Sequence, residues 1–209
     1  MSNQNKLLFV LTLAAIAVIG TFAFRTLPRH FKTAPTEKNS DVPQTPQVLP
    51  TDQKRGAANG TKTIIEFGDM ECPYCASINP QIKTLIEQKQ NVRFVWKDCP
   101  LPNHPNAQMA AEAAQCAGDE GKYWEYQEKL MQNNDRLGSE LYSEIATSIG
   151  LNTEKFSTCL SKGFKRDRVK ASLSECAAAG VTELPWFYMN GKNYSGGNII
   201  YELNTDLNK

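Results

Sequence analysis

Histidine is scarce in this chain, which has only His30 and His104 among 209 residues. Structural zinc sites usually take four clustered cysteine or histidine ligands, commonly as two C-x-x-C pairs. The sequence has a single C-x-x-C, formed by Cys72 and Cys75, and no cluster of histidines. We therefore expect no metal site, and because no cofactor-binding motif is visible we also expect no cofactor.

An excess of basic charge is missing as well. The 23 Lys and Arg residues are balanced by 22 Asp and Glu residues, and residues 60–209 hold 16 basic and 19 acidic residues, a net charge of −3. Nucleic-acid-binding domains carry a basic surplus. We therefore expect no nucleic-acid partner.

The long hydrophobic run of the chain lies at its N-terminus. Residues 7–24 are 18 uncharged, mostly apolar residues, and as a helix they would span roughly 27 Å, close to the thickness of a bilayer core. Because no clear small-residue cleavage site follows, we interpret residues 1–24 as a transmembrane anchor, with a cleaved signal segment as the alternative. Residues 25–59 contain five prolines among polar residues and are predicted to form a proline-rich linker.

Two signals disagree about the side of the membrane on which the rest of the chain lies. Arg25, Arg29 and Lys32 come directly after the apolar run, and the positive-inside rule would place the C-terminal part of the chain in the cytoplasm. The six cysteines are an even number, which suits an oxidising compartment. We give more weight to the cysteines and expect an extracytoplasmic domain, in the periplasm or on the outer face of the cytoplasmic membrane.

Residues 60–209 have the pattern of an α/β fold. Residues 61–68 and 91–98 are β-rich and apolar, and a helical pattern separates them, which predicts a parallel βαβ unit. A helical block comes next, at about residues 104–178. Residues 185–189 predict a strand, Asn190-Gly191 predicts a hairpin turn, and residues 199–207 predict a closing helix.

The C-x-x-C motif stands where the first strand passes into a helix. At that place the first sulfur lies among unpaired N–H groups at the positive end of the helix dipole, which stabilises a thiolate. Cys72 is therefore expected to be the exposed nucleophile, and Cys75, one turn later, the shielded resolving thiol. A metal pair and a purely structural disulfide are the alternatives.

With that context, the chain resembles the DsbA-like branch of the thioredoxin superfamily, in its membrane-anchored bacterial form. The resemblance rests on residues 67–75 (FGDMECPYC), on residues 100–107 (PLPNHPNA) and on residues 180–185 (GVTELP) before a strand. It covers about residues 61–209. It implies a thioredoxin-like fold with a helical insertion between its βαβ and ββα halves, and an activity in thiol–disulfide exchange.

The resemblance also implies roles for further residues. Pro185 matches the cis-proline that faces the active-site cysteines in this family, and the backbone beside Leu184 would then pair with an extended substrate. Pro73 and Tyr74 are expected to contact the substrate too. Glu66 is a carboxylate in an apolar strand, six residues before Cys72; burial would raise its pKa and let it relay the proton of Cys75. Lys97 on the neighbouring strand is a candidate partner for Glu66, and an exposed Glu66 at the edge of the sheet is the alternative.

The remaining cysteines and His104 are expected to be structural. Cys116 and Cys159 both fall in the helical block, and their pairing is favoured; Cys99 and Cys176 would then form a second disulfide. Three connectivities are possible for these four residues, and buried free thiols are another alternative. His104 is interpreted as a structural hydrogen-bonding residue or, alternatively, as a modulator of Cys72.

The function expected from these features is the introduction of disulfide bonds into exported proteins that carry free thiols. The resemblance implies a membrane quinone-linked reoxidant of the DsbB or vitamin K epoxide reductase kind. A reductase or isomerase of the same chemistry is one alternative. A tethered binding module whose cysteines are all structural is the other.

Overall fold

The computed structural model describes residues 44–209, and the predicted anchor at residues 1–24 lies outside this range. Most of the predicted linker lies outside it too. Within the described range, no helix has both the length and the apolar character needed to cross a membrane.

Along the chain, strands and helices occur together in the first and last parts of the domain, and the part between them contains only helices. In chain order the elements are β1 (Gln53–Gly56), β2 (Lys62–Gly68), α1 (Pro73–Glu87), β3 (Val92–Asp98), α2 (Ala107–Gly118), α3 (Tyr123–Gln132), α4 (Ser139–Ser148), α5 (Thr153–Ser161), α6 (Arg166–Ala178), β4 (Trp186–Met189), β5 (Lys192–Tyr194) and α7 (Ile199–Leu207).

The strands form one mixed sheet in the order β1-β3-β2-β4-β5. β2 and β3 are parallel, because α1 carries the chain back to the same end of the sheet, and the other neighbouring strands are antiparallel. β2 is thus covered by a strand on each side, which suits its almost continuous burial. The predicted α/β fold of thioredoxin type, with a helical insertion between the two halves, is confirmed.

Side chains alternate between the two faces of the sheet, so each strand supplies both cores. Ile64, Phe94 and Trp96 belong to the larger core, which they share with α1 to α5 and α7. Phe67 and Val95 point to the other face and belong to a smaller core that includes residues of α6. A disulfide strengthens each core: Cys116–Cys159 joins α2 to α5, and Cys99–Cys176 joins the end of β3 to α6. These are the pairings that the sequence favoured.

The domain begins earlier than the sequence predicted. Residues 25–59 were expected to be linker, but β1 (Gln53–Gly56) forms the edge of the sheet and pairs with β3. The strand has only four residues and no apolar side chain, with half-buried and exposed positions alternating. It forms because β3 offers an unpaired edge, and that tertiary cause leaves no hydrophobic pattern in the sequence.

Lys97 lies on the opposite face of the sheet from the one that was expected. In the β2–β3 register Glu66 stands beside Trp96, whereas Lys97 stands beside Phe67. Lys97 is fully buried there, and its Nζ lies 3.0 Å from Asp52 and 2.6 Å from Glu175 of α6. The prediction that Lys97 pairs with Glu66 is therefore wrong, because neighbouring residues of a strand face opposite sides.

We predict that Lys97→Met lowers the free energy of unfolding by about 3 kcal/mol, because it removes the buried cation that pairs with the carboxylates of Asp52 and Glu175. Urea denaturation of the oxidised protein measures this value. Arg136→Met is the matched control, since the ion pair between Arg136 and Glu144 is exposed and should be worth less than about 1 kcal/mol. Equal losses in the two variants would contradict the structural role given to Lys97.

Candidate active site

The loop from β2 to α1 places Cys72 at the start of a helix. Cys72 is the N-cap residue, with extended backbone angles (φ −72°, ψ 119°), and Pro73 is the first helical residue. Proline is favoured at that position because its fixed φ suits the helix and its missing N–H would have no partner. Cys75 then follows within the first turn, so the two sulfurs lie on the same end of α1.

The two thiols are free in this structure and they share a hydrogen bond. Donation from the Cys75 thiol is the main cause that lowers the pKa of Cys72 to about 6, and the backbone N–H groups of Cys75 and Tyr74 act in the same direction against the cost of burial. The same hydrogen bond, followed by burial and the charge of Glu66, strongly raises the pKa of Cys75. One sulfur is thus held as a thiolate near neutral pH while its neighbour keeps its proton.

Cys72 is much less accessible than the sequence predicted. The residue is 4% exposed, so the expectation of an exposed nucleophile is wrong for this reduced form. Its side chain belongs to the larger core together with Met70 and Cys75, whereas the neighbouring Pro73 and Tyr74 are exposed. Cys75 is completely buried. Cys72 therefore has only a small opening to solvent in the reduced form.

Glu66 lies in the larger core beneath this site. It is fully buried, and neither carboxylate oxygen has a hydrogen-bond partner among the described residues. Burial raises the pKa of Glu66 well above its ordinary range, and the positive charge of Arg55 opposes this only in part. Glu66 therefore holds a proton more readily than an exposed glutamate does.

Arg55 is the basic residue that faces Glu66, and sequence reasoning missed it. Its guanidinium lies over the rings of Trp124 and Phe94, at 4.5 and 5.2 Å from their centroids, and Nη1 lies 3.1 Å from Glu128 of α3. Burial lowers the pKa of Arg55, against the attraction of Glu128 and Glu66. No sequence signal marks Arg55, because it belongs to the short edge strand β1.

The loop before β4 lies at the same end of the sheet. The Leu184–Pro185 peptide bond is cis. Trp186 is paired with Phe67 in the β2–β4 register, so Pro185 stands next to the end of β2, from which the Cys72 loop departs. Pro185 is buried and Leu184 is half-buried. The two halves of the fold thus bring Cys72, Cys75 and Pro185 to the same end of the sheet, and Glu66 lies in the core below them.

The structure also joins the Cys72 loop to the loop before α2. The carboxylate of Asp69 lies 2.8 Å from Nδ1 of His104, and the carboxylate of Glu71 accepts hydrogen bonds from the backbone and side-chain nitrogens of Asn106 at 2.7 and 2.9 Å. The sequence placed these loops in a family pattern but did not indicate that they contact each other. Residues 44–209 contain no group of three or more histidine, cysteine or acidic residues placed to hold a metal ion.

We predict that alkylation of the reduced protein at Cys72 is half-maximal near pH 6, with a plateau at higher pH. Cys75→Ala removes the main hydrogen bond and shifts this midpoint upward. Cys75→Ser retains a hydroxyl donor, and its midpoint should lie between the other two. The pH dependence of iodoacetamide labelling, read by mass spectrometry, measures the midpoints; an unchanged midpoint in Cys75→Ala would contradict the role given to Cys75.

Stability of the reduced protein should depend on the same titration. The pKa of Cys72 is lower in the folded chain than in the unfolded chain, so the thiolate stabilises the fold fully above the unfolded thiol's pKa. This contribution is lost as the pH falls through about 6. Urea denaturation of the reduced protein over this pH range measures the loss. The contribution is absent from the oxidised protein, which serves as the control.

Comparisons with known proteins point to the same family as this geometry. A family model described as thioredoxin matches residues 49–208. Among curated proteins, the Na(+)/H(+) antiporter NhaA 1 of Salinispora arenicola is 33% identical over 153 residues, which are 73% of this chain and 24% of the antiporter. The antiporter NhaA of Herminiimonas arsenicoxydans is 29% identical over 192 residues, 88% of this chain and 31% of that protein. The chain therefore spans only about a quarter of the length of the curated relatives that it matches first.

Several solved structures share this fold. A thioredoxin-like oxidoreductase from Silicibacter pomeroyi superposes with a TM-score of 0.69 and 25% identity, covering 76% of this chain and 91% of that one. The thiol-disulfide exchange protein alpha-DsbA2 from Wolbachia pipientis gives 0.68 and 19%, over 76% and 87% of the two chains. Oxidised BdbD from Bacillus subtilis gives 0.66 and 22%, over 76% and 91%. The chain belongs to the thioredoxin family, and its fold is that of the DsbA-like thiol–disulfide oxidoreductases.

Proposed function

We propose that this protein is a disulfide oxidase that acts on exported proteins through Cys72 and Cys75. The observation that carries the proposal is the hydrogen bond between the free thiols of Cys72 and Cys75 at the start of α1, which lowers the pKa of Cys72 and raises that of Cys75. A stabilised thiolate favours the reduced enzyme, so the disulfide form readily takes electrons from other thiols. Each pKa unit corresponds to about 1.4 kcal/mol, or roughly 30 mV for a two-electron couple.

The reaction begins on the oxidised enzyme. A substrate thiolate attacks the sulfur of Cys72, the Cys72–Cys75 bond breaks, and the electron pair passes to Cys75. Glu66, a buried acid whose pKa is raised by burial, supplies the proton that makes Cys75 a neutral thiol. This proton transfer is needed because Cys75 is completely buried, where a thiolate would be costly.

The second half of the reaction releases the product. A second substrate thiolate attacks the substrate sulfur of the mixed disulfide, and Cys72 leaves as the stabilised thiolate. The substrate has then lost two electrons and gained one disulfide bond, and the enzyme has gained both electrons. Glu66 recovers its proton from solvent, and a membrane quinone-linked partner of the DsbB or vitamin K epoxide reductase kind takes the electrons from the enzyme.

The surface around the site suits an extended, partly unfolded substrate. Tyr74 is 73% exposed beside Cys72, and Pro73 next to it is exposed as well. Together with the backbone at Leu184, Pro73 and Tyr74 would hold a substrate segment across the Cys72 opening. This arrangement favours reduced chains that have not yet folded.

The cellular setting is also part of the proposal. An extracytoplasmic domain tethered through residues 1–24 would meet exported chains where disulfides persist. The antiporter relatives are named for ion transport, which we do not propose for this chain, because the matched segment is about a quarter of their length.

The proposal is tested with a reduced, unfolded model protein that has one native disulfide. The oxidised wild-type protein should form that disulfide in stoichiometric amounts, and Cys72→Ser and Cys75→Ser should form none. Formation is read by mass spectrometry after alkylation. A protein that only rearranges an already formed, incorrect disulfide would instead be an isomerase, and one without any exchange would be a binding module.

We predict that Glu66→Gln slows reduction of the Cys72–Cys75 disulfide by the model protein on the order of a hundredfold, because the departing Cys75 receives no proton. Stopped-flow fluorescence measures the rate. Glu144→Gln, on the exposed face of α4, is the control and should react like wild type. A Glu66→Gln variant that keeps the wild-type rate would rule out the proton relay.

A further inference from the structure

Asp69 occupies a position from which it can act on both active-site sulfurs. Its carbonyl oxygen accepts the backbone N–H of Cys72 at 3.2 Å, and its own backbone N–H faces the sulfur of Cys75. Its side chain is fully buried. The carboxylate therefore lies within the loop that carries Cys72, and water cannot screen its charge.

The surroundings of this carboxylate are built from two loops. Oδ1 accepts the backbone N–H of Glu71 at 2.7 Å, and Oδ2 accepts the backbone N–H of Leu101 at 2.8 Å. Oδ2 also lies 2.8 Å from Nδ1 of His104, whose side chain is 18% exposed. His104 is thus the one side chain among the described residues that forms a hydrogen bond with Asp69, and it connects the buried carboxylate to the surface.

A second set of hydrogen bonds connects the same two loops. The carboxylate of Glu71 accepts the backbone N–H of Asn106 at 2.7 Å and its side-chain N–H at 2.9 Å. Asn106 is the residue before α2, so the Cys72 loop is attached to the start of the helical insertion. The loop that contains both Asp69 and Cys72 is therefore held against the start of α2.

A buried negative charge three residues before Cys72 works against the hydrogen bonds that stabilise its thiolate. Like charges oppose each other, and the Asp69 carboxylate indeed raises the pKa of Cys72 while the hydrogen bonds lower it. A hydrogen bond from His104 draws part of the negative charge away from the side of Cys72. The carboxylate and the imidazole should consequently change the redox equilibrium in opposite directions.

We propose that the Asp69–His104 pair adjusts the reduction potential of the Cys72–Cys75 disulfide. The charge of Asp69 makes the disulfide a weaker oxidant, and the hydrogen bond from His104 reduces that effect. The proposal rests on the proposed function, since it needs a Cys72–Cys75 pair that cycles between disulfide and dithiol. Both residues are positioning residues that act through charge on Cys72, without contact with the substrate.

The test is the equilibrium of the full-length protein with reduced and oxidised glutathione, followed by mass spectrometry of the alkylated thiols. Asp69→Asn removes the opposing charge, so the fraction of reduced enzyme should increase, with an equilibrium constant about tenfold larger, or roughly 30 mV. His104→Ala should shift the equilibrium several-fold in the opposite direction. His104→Gln retains an N–H donor and should restore most of the wild-type value.

The double variant Asp69→Asn/His104→Ala makes the test specific. If His104 acts through the Asp69 charge, the double variant should have the same equilibrium constant as Asp69→Asn alone. Glu144→Gln, in an exposed ion pair with Arg136, is the control and should match wild type. His104→Ala is the milder change, and it decides the matter if Asp69→Asn does not fold.

Two failures are distinguishable. If wild-type protein does not exchange with glutathione through Cys72 and Cys75, the proposed function and this inference are both wrong. If wild-type protein exchanges but the His104 variants differ from it only in melting temperature, the pair is purely structural and this inference alone is overturned.

Discussion

The hydrogen bond between the thiols of Cys75 and Cys72 is the interaction on which the chemistry of this protein depends. It makes the two sulfurs unequal, because the pKa of Cys72 falls to about 6 while that of Cys75 rises. The fold produces this difference between the two sulfurs. Cys72 lies at the N-terminus of α1, Pro73 is the first helical residue, and Cys75 follows within the first turn. In the mechanism that we propose, the buried acid Glu66 supplies a proton as the electron pair passes to Cys75.

Much of this arrangement is readable in the sequence. The apolar strand at residues 61–68, the C-x-x-C and the proline at the first helical position are local features, and each has one dominant structural meaning. They predict the βαβ half, the positions of both cysteines and the acid beneath them. The proline before β4 comes from the family resemblance, and the sheet topology explains its place next to the end of β2.

The features that the sequence did not predict depend on contacts between distant segments. Arg55 belongs to a polar four-residue strand that exists only because β3 offers it an edge, so it could not be recognised as the cation that faces Glu66. Lys97 was placed on the correct strand but on the wrong face, since the face depends on a register that only the folded sheet defines. The burial of Cys72 has the same origin, because the Cys72 loop is drawn against the loop before α2 through Asp69 and Glu71.

Central to the mechanism is that the Cys72 thiolate stabilises the reduced protein. The most direct test is to measure the free energy of unfolding at neutral pH for the protein with Cys72 and Cys75 reduced and for the protein with these two residues oxidised. The reduction has to leave Cys99–Cys176 and Cys116–Cys159 intact, which mass spectrometry of the alkylated protein verifies. We expect the reduced form to be the more stable one. A more stable oxidised form would contradict the oxidase mechanism, because a disulfide that stabilises the fold would not readily oxidise the thiols of other proteins.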